Sequence, residues 1–81
     1  MDLNKIHDII ETDISNSKKS IQIYYNLVEF YKHKYTNKDV RYIEDVCSIC
    51  CDIIELLLNE KLNSNKQLIN NIIIVHEKWF H

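Results

Sequence analysis

The chain of 81 residues contains no glycine and no proline, and that absence narrows its possible folds more than any other feature. Hairpins, bulges and strand-dense topologies rely on glycine for positive φ and on proline for preset turns. Helix interiors need neither. Connections between helices can be made by Asn, Asp and Ser, which close turns through their own side chains. Alanine is missing as well. All three absent residues have GC-rich codons, and the excess of Ile, Asn and Lys beside the single Arg41 fits a gene of very low GC content. A large DNA virus, a phage, a low-GC bacterium or a parasite would carry such a gene. The two causes are compatible, because helices tolerate what such a genome removes.

Apolar residues recur at helical spacing from the start. With roughly 100° between successive residues, Leu3, Ile6, Ile10, Ile14, Ile21, Tyr24, Val28, Tyr31 and Tyr35 fall on one stripe, widened by Ile9, Leu27 and Phe30. The phase spans residues 3–35 and would suit one long helix. Against continuity stands the stretch ETDISNSKKS, whose Thr12, Asp13, Ser15, Asn16 and Ser17 are weak helix formers that favour caps. Asp13 and Ser17 also interrupt the stripe, so a kink or break near 13–17 is the alternative.

The second segment starts after YTNKD, where Asn37 suits a left-handed turn and Asp39 a cap. It runs to about Lys61. Its polar side is narrow, comprising Arg41, Glu44, Asp45, Ser48, Asp52, Glu55 and Asn59, and apolar residues cover more than half the circumference. Such a helix sits between neighbours. A turn at Asn59, Asn63, Ser64 and Asn65 leads to a last helix over 65–80, with Leu68, Ile69, Ile72, Ile73, Val75, Trp79 and Phe80 on its apolar face. The sequence therefore predicts one all-α domain over 1–81. Its expected form is a small antiparallel bundle of three long helical segments, or of four helices if the first breaks.

Composition excludes several function classes. A formal net charge of −2 with no basic stripe argues against a nucleic-acid partner. The charges are blocky instead. Lys18, Lys19, Lys32, Lys34 and Lys38 crowd the first half, and Asp39, Glu44, Asp45, Asp52, Glu55 and Glu60 crowd the second helix. Opposite blocks of this kind help neighbouring helices pack antiparallel. No apolar run approaches the roughly 18–20 residues of a membrane span, and MDLNKIHDIIETD is too charged to read as a signal peptide. Three cysteines, an odd number, fit a reducing compartment better than a disulfide framework. A cytoplasmic protein without a membrane partner is the expectation.

The chemical-looking residues are few. Cys47, Cys50 and Cys51 (VCSICC) have spacing that could chelate zinc or run a dithiol cycle. Completing a zinc site would require His7, His33, His76 or His81. These cysteines lie mid-helix and largely on the apolar face, where a thiol acts as a small hydrophobe. Cys51, at the edge, is the one expected to react. His76 sits within the apolar face of the last helix and reads as a core histidine with one hydrogen bond. Tyr24, Tyr31 and Tyr35 read as core rather than as a stacking platform, whereas Tyr25, off the stripe beside Lys18 and Lys32, is expected at the surface. The paired Glu-x-x-His motifs of a di-iron bundle are missing, and a glycine-free chain cannot build a phosphate-cradling loop. Neither an enzyme nor a cofactor is expected.

What remains is apolar surplus. Ile74 lies among Lys66, Gln67, Asn70, Asn71, Glu77 and Lys78, and the chain closes on Trp79 and Phe80. Exposed apolar area on a small domain usually marks a protein contact, and tryptophan often anchors one. The sequence thus points to a small intracellular interaction module, an adaptor, regulator or inhibitor. Its docking residues would be Ile74, Trp79, Phe80 and Tyr25, and its partner another protein or a second copy of itself, as a homodimer. Narrower forms are a viral or phage host-modulating protein and a bacteriocin-immunity-like helical bundle. The alternative is a thiol- or zinc-dependent module built on Cys47, Cys50 and Cys51.

Overall fold

The computed structural model describes residues 3–60 and 66–81. Four α-helices succeed one another: α1 (Leu3–Ile10), α2 (Asn16–Lys34), α3 (Val40–Asn59) and α4 (Lys66–Glu77), the last extended by a 3-10 turn at Lys78–Phe80. No strand occurs among the described residues, nor is any helix there long and apolar enough to cross a membrane. The all-α bundle takes its four-helix form.

The first helical stripe does break, at 11–15, and local hydrogen bonds explain where. The Thr12 hydroxyl donates to the Ile9 carbonyl at 2.6 Å, satisfying an acceptor that the end of α1 leaves open. Ser15 then caps α2, its hydroxyl accepting from the Lys18 amide at 3.3 Å. The buried ammonium of Lys19 donates to the Ile10 carbonyl at 2.6 Å, placing a cation at the negative end of the α1 dipole. Breaking the helix resets its phase. Ile21, expected on the buried stripe, is 53% exposed, while Ile23, Leu27, Val28 and Tyr31 form the buried line of α2.

Asp39 caps α3 as its sequence position suggests, accepting from the Arg41 amide at 2.7 Å. At the far end the helix closes on Glu60, whose amide donates to the Leu56 carbonyl. Lys61 and the turn expected at Asn63, Ser64 and Asn65 lie outside the described residues. α3 runs antiparallel to α2: Asn16, opening α2, donates to Asn59, closing α3, at 2.9 Å, and Ser20 Oγ donates to the Cys51 carbonyl at 3.1 Å in the interior. α3 also packs on α4, and α1 packs on α2. The core runs along α3 through Ile43, Cys47, Cys50, Ile54 and Leu58, with Ile6 and Ile10 from α1, Ile23 and Leu27 from α2, and Ile69 and Ile73 from α4.

Aromatic rings seal the other end. Phe80 is fully buried, stacked on Tyr35 at 5.1 Å between centroids, tilted against Tyr31 at 4.7 Å and edge-on to Tyr42 at 5.8 Å. Around it, Tyr35 Oη donates to Glu77, which also pairs with Lys34, and Tyr42 Oη donates to the Trp79 carbonyl at 2.5 Å.

Burial on α3 sets a contrast within one turn. Ile54 is fully enclosed and Leu56 is 57% exposed. Ile54→Ala is expected to cost about 2–5 kcal/mol, a large share of the stability of a domain this size, whereas Leu56→Ala should stay within about 0.5 kcal/mol. Urea unfolding followed by circular dichroism measures both. Equal losses from the two would contradict this packing.

Candidate functional site

The surfaces can be assigned by walking around each helix. On α4, Ile69, Ile73, His76 and Phe80 point into the core. Glu77 marks the side toward α2, because it meets Lys34 and Tyr35. In the opposite sense around α4 come Ile72, Trp79, Leu68 and Val75, on the side of α3. On α3, Ser20 reaches Cys51 and so marks the side toward α2. In the opposite sense, past Ile43 and Ile54, come Val46, Ile53, Tyr42, Ile49 and Leu56, on the side of α4. Tyr42 Oη, donating to the Trp79 backbone carbonyl, ties α3 to the turn that follows α4.

An apolar face results along the outside of the α3–α4 pair. Tyr42 is 41% exposed, Ile49 44%, Leu56 57%, Val75 53% and Trp79 52%, with Ile53, Leu68 and Ile72 half-buried beneath them. The spacing Tyr42, Ile49, Leu56 is a heptad step, which keeps side chains on one edge of a helix. His76 supports the end of this face, buried, with its ring stacked on Trp79 at 5.4 Å and Nδ1 2.9 Å from the Ile72 carbonyl. That is the single hydrogen bond its core position led us to expect.

The docking residues expected from sequence do not form one patch. Trp79 belongs to the α3–α4 face. Ile74 is 47% exposed but lies about 100° around α4 from its neighbour Val75, off that face. Tyr25 is 65% exposed and lies on α2, its ring edge-on to Tyr24 at 5.5 Å. Phe80 is a correction. The aromatic cluster of Tyr31, Tyr35 and Tyr42 buries it, and it offers no surface to a partner. Exposed Tyr42, Ile49 and Leu56 on α3 were not singled out from sequence. Their signal was present on α3, where an apolar arc wider than half the circumference exceeds what two packed neighbours cover.

The cysteines face inward. Cys47, Cys50 and Cys51 are all buried and free, so Cys51, expected at the edge and reactive, is instead enclosed against α2. Burial pushes the Cys47 and Cys50 thiols from 9.0 up to about 12, with Cys50 adding to the effect at Cys47. It raises Cys51 likewise, reinforced by Cys50, Cys47 and Asp52. Nucleophilic and metal-binding thiols need the opposite shift. Among the described residues, no group of three or more His, Cys, Asp or Glu side chains stands where it could hold a metal ion. Beside Cys51 an open cleft of about 210 Å³ lies between α2 and α3, lined by Ser20, Ile21, Tyr24, Ser48, Cys51 and Asp52. It offers hydroxyls and one carboxylate, and Ser20 is already committed to the Cys51 carbonyl.

No protein-family model, no curated protein and no solved structure matches the chain. Its function therefore has to be read from its own surfaces.

Raised thiol pKa values carry a pH dependence with a definite sign. The native protein holds these protons more tightly than the unfolded chain does. The stabilisation is complete below pH 9.0 and is lost as pH climbs toward about 12. Thermal melts across that window should fall steadily. Thiol alkylation at neutral pH should be slow until denaturant is added, with all three cysteines then reacting. Rapid labelling of any one of them in the native state would contradict the burial.

Proposed function

We propose that the chain is a small protein–protein interaction module that works through the outer face of α3 and α4. The observation that carries this reading is the clustering of Tyr42, Ile49, Leu56, Val75 and Trp79, each more than two-fifths exposed, on one side of the bundle. Burying a side chain of this size is favourable by about 1.5–3 kcal/mol. Each of the five is about half exposed, so a partner would recover about half of that amount at each. Tryptophan and tyrosine at one end supply the rigid aromatic anchors on which interface energies concentrate.

The face has the chemistry of a helix-docking surface. Two antiparallel helices present a shallow apolar trough, and an amphipathic helix or helix pair fills such a trough with residues at i, i+3, i+4 and i+7. The rim carries Asp45 and Asp52 along α3 and Asn71 and Lys78 along α4, so the polar edge that limits an interface is present too. An adaptor, regulator or inhibitor needs no more machinery than this. The thiol and zinc alternative has less support, since all three cysteines are buried and their thiol pKa values are raised.

Photocrosslinking in the cell of origin tests the reading. A benzophenone amino acid placed at Ile49 or at Val75 should trap the same discrete protein, whether another chain or a second copy. One placed at Glu29, exposed on α2, should not trap it. If neither Ile49 nor Val75 gives a discrete adduct, or if all three positions give the same one, the α3–α4 face is not the working surface.

A further inference from the structure

We draw no further inference here: the strongest candidate, the apolar strip of Tyr42, Ile49, Leu56, Val75 and Trp79 on the outer face of α3 and α4, belongs to the surface already described, and nothing in the structure shows what covers it.

Discussion

The antiparallel seam between α2 and α3 is the contact on which the rest of the molecule depends. It is the most extensive helix pairing of the bundle, and it demands small side chains where the helices approach most closely. Most proteins place alanine or glycine there. This chain has neither, which leaves serine and cysteine as its smallest residues. Both appear where they are needed: Ser20 is buried opposite Cys51, and Cys47 and Cys50 line the same interior. The three cysteines thus have a packing rationale that requires no chemistry. Each fills a position where leucine or isoleucine would force the helices apart, and burial keeps their thiols protonated.

Once α2 and α3 are paired, the two ends of the chain are placed by polar contacts that suit their positions. Lys19 fixes α1 by reaching back to its last carbonyl. Phe80 fixes the end of α4 by entering the aromatic cluster of Tyr31, Tyr35 and Tyr42. The 3-10 turn separates the fates of neighbouring residues, with Phe80 inside and Trp79 half in solvent beside His76. A tryptophan held by stacking at the surface has already lost much of its rotamer freedom, so binding through it costs less entropy.

The sequence reads well wherever structure is set locally. Asp39 and Ser15 cap the helices their residue types suggest, the cap-forming residues of 12–17 mark the break, and the apolar period gives the span of α3. It reads poorly wherever the answer depends on which neighbour arrives. Ile21 belongs to a stripe only if the helix is continuous, and the break at 11–15 turns it outward. Phe80 and Trp79 are equivalent as greasy terminal residues until a tyrosine cluster accepts one of them. Cys51 is an edge residue of α3 considered alone and a core residue once α2 lies across it. The α3–α4 face shows the same limit. A helical wheel reveals how much of α3 is apolar, but only the arrangement of α2 and α4 reveals which part of it stays uncovered.

One objection to a functional face is that a chain so rich in isoleucine and leucine must expose some of them anywhere, since apolar atoms make up more than half of an ordinary protein surface. Indiscriminate excess would be scattered over every outward-facing helix surface. The outward residues of α1 are Asn4, Lys5, Asp8 and Glu11 beyond its end, and those of α2 include Gln22, Glu29, Lys32 and His33. Of the large apolar residues left exposed, helical periodicity gathers Tyr42, Ile49, Leu56, Val75 and Trp79 on one side, while Ile21 lines the α2–α3 cleft and Tyr25, Val40 and Ile74 stand elsewhere. A chain able to place polar side chains over the outside of α1 and much of α2 could have done so on α3 and α4. That it keeps an apolar strip there, with a polar rim, favours a surface built to be covered.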